Sequence, residues 1–136
     1  MRGTTEKMKK DFVNSWKRSV QPRKQRKFRT NAPLHTKRKF MAAPLSKELR
    51  QKHKTRTMML RKGDKVKITR GKYKGTIGVI DYLKTKKERV YITNTERTRT
   101  DSTKSLYPVH PSKVIIQELV MDDKRRKAII ERRGKH

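Results

Sequence analysis

Apolar side chains between Arg61 and Gln117 recur at every second position in short runs. Val66 and Ile68 alternate with Lys65, Lys67 and Thr69. Ile77 and Val79 alternate with Gly78 and Ile80, and Val90 and Ile92 with Arg89, Tyr91 and Thr93. Val114 and Ile116 alternate with Ile115 and Gln117. A period of two is that of a strand with one buried face. Four such runs separated by turn-rich segments predict a small all-β barrel or curled sheet. The first turn, Arg70 to Gly75, is bounded by Gly71 and Gly75, natural positions for positive φ. Gly78 lies inside a run, which points to a bulge or a sharp coil. The segment Asn94 to Lys104 is rich in Thr and charge, has no core pattern, and reads as a projecting surface loop.

The flanks follow other rules. Ser46 follows Pro44-Leu45 and suits an N-cap, with Glu48 in the first turn and Leu45 and Leu49 sharing a face; a short helix is expected over Leu45 to His53. After Met121, Asp122 and Asp123 open a run that Arg132, Arg133 and Lys135 close, a polarity that complements a helix dipole. Asp122 with Arg126 and Lys127 with Glu131 are spaced for pairing on it, Ile129 and Ile130 give a narrow apolar edge, and Gly134 suits its stop. From Lys17 to Lys39 there are ten Lys/Arg and no acid, interrupted by Pro22 and Pro33. With little apolar periodicity, this stretch is expected to be an extended arm, with Phe28, Leu34 and Phe40 as spaced anchors. The organisation read from the sequence is a basic arm over 1–44, a short helix and linker over 45–60, the barrel over 61–120, and a basic helix or tail over 121–136.

Charge changes the picture from fold to partner. The chain carries 41 Lys and Arg against 12 Asp and Glu, a net +29 on 136 residues. Such a chain repels itself when compact and needs dense negative charge, which nucleic acid supplies best. With 30% hydrophobic and 39% charged residues, a core cannot fill the whole chain, so part of it orders on a partner. There are no cysteines, hence no disulfide and no thiolate zinc site. No apolar run approaches the ~20 residues that span a bilayer, and the first residues lack the apolar segment of a secretory signal. The expected protein is soluble, intracellular and polyanion-binding.

The residues Gly63-Asp64-Lys-Val66-Lys-Ile68-Thr-Arg70-Gly71-Lys-Tyr-Lys74-Gly75-Thr-Ile-Gly78-Val79 resemble a KOW motif, a strand, a basic Gly-bounded turn and a second strand. Val66, Ile68, Ile77 and Val79 are expected to fill the barrel interior. Lys72 and Lys74 are expected beside exposed backbone N–H groups where a phosphate can bind. The motif names a fold and a nucleic-acid neighbourhood, shared by ribosomal proteins and NusG-type elongation factors.

The flanks Gln21-Pro-Arg-Lys-Gln-Arg-Lys27, Asn31-Ala-Pro-Leu-His35, Ala43-Pro-Leu-Ser-Lys-Glu-Leu-Arg50, Tyr107-Pro-Val-His-Pro-Ser-Lys-Val114 and Asp123-Lys-Arg-Arg-Lys-Ala-Ile-Ile-Glu-Arg132 extend the likeness. Together they resemble the ribosomal large-subunit protein twenty-four family, in its archaeal form and the eukaryotic form numbered twenty-six. The likeness runs from about Ser19 to Arg133. It implies an SH3-like barrel with an extended arm along rRNA. It also implies binding to the 5′ region of large-subunit rRNA early in assembly, and a place near the exit of the polypeptide tunnel. Implied partners are large-subunit rRNA, neighbouring ribosomal proteins and nascent-chain targeting or translocation factors at the tunnel exit. Neither membrane insertion nor homo-oligomer is expected.

Candidate rRNA contacts are Lys17, Arg18, Arg23, Lys24, Arg26, Lys27, Arg29, Lys37, Arg38 and Lys39 on the arm, Lys47 and Arg50 on the short helix, and Lys72 and Lys74 at the turn. Gly63, Val66, Ile68, Gly71, Gly75, Gly78 and Val79 are the motif's structural positions. The plain alternative is a disordered solubilising tail and a solvated hairpin; spaced Phe and Pro residues argue against the first. Trp16, Phe28 and Phe40 are candidates to stack on bases or to fill apolar hollows, and Tyr73 is expected to be exposed at the turn tip. Tyr82, Tyr91 and Tyr107 read as core or half-core residues. His35, His53, His110 and His136 are scattered and have no Cys beside them, so no metal and no cofactor are expected. Asp64 and Asp81 read as turn or salt-bridge residues, because no base, nucleophile or metal cluster accompanies them. The expected function is a non-enzymatic structural protein of the large ribosomal subunit. A KOW-type elongation factor and a histone-like DNA-compacting protein are the alternatives.

Overall fold

A computed structural model describes residues 12–13 and 18–134. Helices α1 (Pro22–Asn31) and α2 (Leu34–Phe40) come first. Strand β1 (Ala42–Pro44), helix α3 (Lys47–His53) and strand β2 (Thr57–Met59) follow. Strands β3 (Lys65–Ile68), β4 (Ile77–Lys84), β5 (Arg89–Thr98), β6 (Lys104–Val109) and β7 (Val114–Glu118) form the body, and helix α4 (Lys124–Gly134) closes the described chain. The five strands lie in the order β6-β5-β4-β3-β7, every pair antiparallel. β1 and β2 form a separate antiparallel pair, joined to the sheet where Leu45 bridges Ile116. The result is a small SH3-like barrel, mainly β, with a short helix before it and another after it.

Val66, Ile68, Val90, Ile92, Val114 and Ile116 are buried, as their alternation requires. Leu45, Ile80, Val109, Met41, Met58 and Leu60 complete the core around them. The phase of β4 is the reverse of the expected one. Ile77 and Val79 are exposed, and Gly78 and Ile80 face inward. A Cβ on Gly78 would stand 2.4 Å from the Thr93 carbonyl oxygen and 2.7 Å from Ile92 Cγ2. The glycine therefore lets two backbones meet, and Ile80 supplies the bulk that Val79 was expected to supply. The bulge lies further along the strand, where the pairing with β5 shifts between Ile80 and Tyr82. One extra residue swaps inside for outside. Leu83 then packs on the core while Tyr82 and Lys84 point outward.

Asn94 to Lys104 is not a free loop. β5 runs to Thr98 and pairs with β6 through Glu96–Leu106, Arg97–Ser105 and Thr98–Lys104, making a hairpin whose tip is Arg99 to Thr103. Thr93 and Asn94 replace part of the backbone ladder there. Val79 N–H donates to Thr93 Oγ1 at 2.9 Å, and Asn94 Nδ2 donates to the Ile77 carbonyl at 3.2 Å.

The arm is also not extended over 22–40. Pro22 stands in the first turn of α1, where its missing N–H costs nothing. Arg, Lys and Gln are good helix formers, and Pro33 ends the element at Ala32. α1 has only ten residues, none of them buried, too short to be stable alone. Three ties hold it. Arg29 bonds Glu88 in the turn between β4 and β5. Lys37 Nζ on α2 donates to the Thr30 carbonyl at 3.0 Å. The Phe12 and Phe28 rings pack at 5.0 Å.

α3 starts as expected, with Ser46 Oγ accepting from Leu49 N–H. In α4, Asp123 Oδ1 accepts from Arg125 N–H at 2.8 Å. Arg126 does not pair with Asp122. It is buried and held by Asp64.

Candidate nucleic-acid interface

The basic residues divide by what their charges meet. Arg23, Lys24, Arg26 and Lys27 are exposed on α1 and form no ion pair among the described residues. Consecutive helical residues point about 100° apart, so these four cover the solvent side of the helix while Phe28 and Arg29 face the body. Arg18, Arg38, Lys39 and Lys47 are likewise exposed. Lys17 and Trp16 lie outside the described residues.

Three candidates are engaged within the protein. Lys37 is buried, its ammonium on the Thr30 carbonyl. Arg29 is neutralised by Glu88 and lies 4.9 Å from the centre of the Phe40 ring. Arg50 Nε donates to the Leu45 carbonyl at 2.8 Å, leaving part of its guanidinium exposed. Phe28 and Phe40 thus pack against protein groups.

Glu88 is the joint between arm and barrel. It holds a left-handed backbone at φ 53°. Besides Arg29 it faces His110 Nε2 at 3.7 Å. Burial, then Arg89 and Arg29, lower the His110 pKa below its ordinary 6.5, against the opposing pull of Glu88. His110 is therefore neutral at pH 7, and its Nδ1 accepts from Ser112 N–H at 3.2 Å. Nothing in the sequence marks Glu88, since its partners lie 59 and 22 positions away.

At the first turn, Gly71 and Gly75 have φ of 104° and 89°. Lys72 and Lys74 are exposed, but the turn uses three of its amides internally. Lys74, Gly75 and Thr76 N–H groups donate to the carbonyls of Gly71, Ile68 and Tyr73. The lysines offer charge there without the neighbouring amides expected at Lys74. Arg70 Nη2 donates to the Ser112 carbonyl at 3.1 Å. A Cβ on Gly71 would lie 3.9 Å from Lys113 Nζ. Arg70, Lys72, Lys74 and Lys113 therefore make one basic end of the barrel. Tyr73 folds back onto it. Its ring packs on Tyr107 at 5.2 Å, and its hydroxyl donates to the Glu96 carbonyl at 2.7 Å.

Two further features escaped the sequence. Asp64 is a salt-bridge residue, as expected, but its partner is Arg126, 62 positions later. Tyr82 and Tyr91 stack on the outer face with centroids 4.1 Å apart, Tyr91 half-buried as expected and Tyr82 exposed.

Comparisons with known proteins point to one family. A family model, described as the ribosomal proteins numbered twenty-six in eukaryotes and twenty-four in archaea, matches residues 19–133. The "Large ribosomal subunit protein uL24" of Korarchaeum cryptofilum (strain OPF8) is 43% identical over 117 residues, covering 86% of this chain and 89% of that protein. The protein of the same name from Nanoarchaeum equitans (strain Kin4-M) is 43% identical over 122 residues, covering 89% of this chain and 81% of that one.

Proposed function

This chain belongs to the family of large-subunit ribosomal proteins numbered twenty-four in archaea and twenty-six in eukaryotes, and we infer that its work there is to bind and brace folded rRNA. It is a structural constituent of the large subunit of cytoplasmic ribosomes, with rRNA and other ribosomal proteins as partners. One observation carries the mode of binding: the arm's Arg23, Lys24, Arg26 and Lys27 are exposed and form no ion pair among the described residues, while Arg29 of the same arm ties it to the barrel and Lys37 ties α2 to α1. The barrel docks preformed, and α1 brings a rack of four cations against phosphates.

Contacts of this kind fix position, and the shape of the folded RNA supplies recognition. We place the bound rRNA in the 5′ region of the large-subunit molecule, bound early in assembly, and the protein near the tunnel exit where targeting or translocation factors meet it. The support for this placement is the family likeness. Catalysis has no part in the proposal.

The test is sedimentation of tagged protein from lysate through a sucrose gradient in Mg²⁺ and high salt, followed by binding to a 5′ fragment of large-subunit rRNA. Co-migration with the large subunit and tight binding to that fragment are expected. Confinement to light fractions, or equal affinity for random duplex DNA, overturns the reading. If about ten phosphates are neutralised, affinity falls ~10³–10⁵-fold between 50 and 200 mM salt.

A further inference from the structure

The outer face of the barrel carries a second kind of site. Tyr82 and Tyr91 are cross-strand partners in β4 and β5. Their rings lie nearly parallel, 14° apart, with centroids at 4.1 Å. Tyr82 retains 39% of its surface to solvent. The bulge between Ile80 and Tyr82 puts the ring there, because an unbroken ladder would turn Tyr82 inward and Leu83 outward. Lys84 Nζ stands 5.4 Å from the Tyr91 centroid and 5.9 Å from that of Tyr82. The pair lines a hollow of about 360 Å³ together with Lys84, Arg97, Arg99, Leu106 and Pro108, Pro108 being the cross-strand neighbour of Tyr91. Arg97 and Arg99 sit on the hairpin of β5 and β6, and neither forms an ion pair among the described residues.

We propose that this hollow holds one unpaired RNA nucleotide, its base stacked on the Tyr82–Tyr91 pair and its flanking phosphates against Lys84, Arg97 and Arg99. The proposal rests on the rRNA-binding reading and adds to it a site for single-stranded RNA. An exposed aromatic face rimmed with cations is the arrangement that takes a splayed-out base, since every base has a π face and each flanking phosphate needs a charge. A duplex cannot use it, because its bases are already stacked on one another. A lipid surface is disfavoured by the concave, half-polar rim.

The experiment uses the full chain with two fluorescently labelled probes of equal length, an unstructured single-stranded RNA and a duplex RNA, in anisotropy titrations at one salt concentration. Tyr82→Ala is expected to weaken single-strand binding about 5- to 150-fold, the range for losing one stacked base, with duplex binding unchanged. Tyr82→Trp is expected to restore it. Photo-crosslinking of a 4-thiouridine probe is expected to mark the peptides that hold Tyr82 or Tyr91. If Tyr82→Ala binds the single strand like wild type while duplex and rRNA binding stand, the platform is wrong and the face belongs to a protein partner. If wild type binds neither RNA, the rRNA-binding reading falls and takes the platform with it.

Discussion

Arg126 grips Asp64 through two parallel hydrogen bonds of 2.7 Å across 62 residues of sequence. Both side chains are buried. Asp64 also accepts from Arg61 N–H at 2.9 Å and Val120 N–H at 3.1 Å. Arg126 donates to the Val120 and Met59 carbonyls as well. The pair therefore pins α4 to the entry of β3 and to the end of β2. Buried charges persist only when paired and hydrogen-bonded, and of this pair just the Arg126 Nε lacks a partner among the described residues.

Removing one member of this pair is expected to cost more than removing both. Asp64→Ala leaves a buried guanidinium without its counter-charge and should destabilise the fold by about 3–5 kcal/mol. Adding Arg126→Met should recover a large part of that loss. Urea denaturation of the two single variants and the double variant checks the coupling. Additive losses would mean that the pair is not energetically linked.

Two glycines in one hairpin are expected to respond differently to alanine. Gly78→Ala drives a Cβ into the Thr93 carbonyl and the Ile92 side chain, and close-packed backbone cannot give way cheaply. Gly75 has open space around it, and its φ of 89° is the sole penalty, about 1–2 kcal/mol for a non-glycine residue in left-handed backbone. Gly75→Val costs more than Gly75→Ala, because branching resists that conformation. Urea midpoints should fall furthest for Gly78→Ala. The opposite order would restore Ile77 and Val79 to the interior.

How much of this was legible follows from the range of each signal. Strand period survives in the sequence because it is local, so β3, β5 and β7 could be read from Val66, Val90 and Val114. Which face is inside is decided across the sheet. In β4 that decision rests on the contact of Gly78 with Thr93, which no local pattern encodes. β6 does not stand out in the sequence because Pro108 and the polar Lys104 and Ser105 look like loop; a proline is tolerated there since β6 is an edge strand. The arm helices have no apolar stripe, so periodicity could not show them, and their placement depends on Glu88. The arm's charge was legible from composition, but whether a given cation is free was not, as Lys37 and Arg29 illustrate. Tyr82 faces solvent through a bulge one residue away, a feature of pairing rather than of sequence.

His110 should make the fold weaker in mild acid. Its folded pKa is lowered, first by burial and then by Arg89 and Arg29. A group with a depressed cationic pKa favours the unfolded chain once protonation begins there. Stability is thus full above the unfolded value near 6.5 and falls as pH drops below it, until the folded pKa is passed. His53, also lowered by burial and by Lys52, contributes in the same sense. Denaturation midpoints at about pH 7.5 and about pH 5.5, on either side of that unfolded value, should differ, and His110→Gln should reduce that difference. An unchanged difference in the variant would assign the effect elsewhere.

The arm tests whether charge or placement governs RNA affinity. Replacing Arg23, Lys24, Arg26 and Lys27 by Gln removes four exposed cations that hold no ion pair among the described residues. The melting transition should stay where it is. Binding to a 5′ fragment of large-subunit rRNA should weaken, and the slope of log K against log salt should shrink by up to about 3–4, close to one for each duplex-like phosphate no longer neutralised. Glu88→Gln makes the complementary test. It raises the net positive charge, yet it releases Arg29 and with it the tie between α1 and the barrel. If placement matters, affinity for folded rRNA falls although the charge has risen, and hydrogen exchange in α1 speeds up. An affinity that instead rises would reduce the arm to a mobile polycation, with Glu88 as a brake on it.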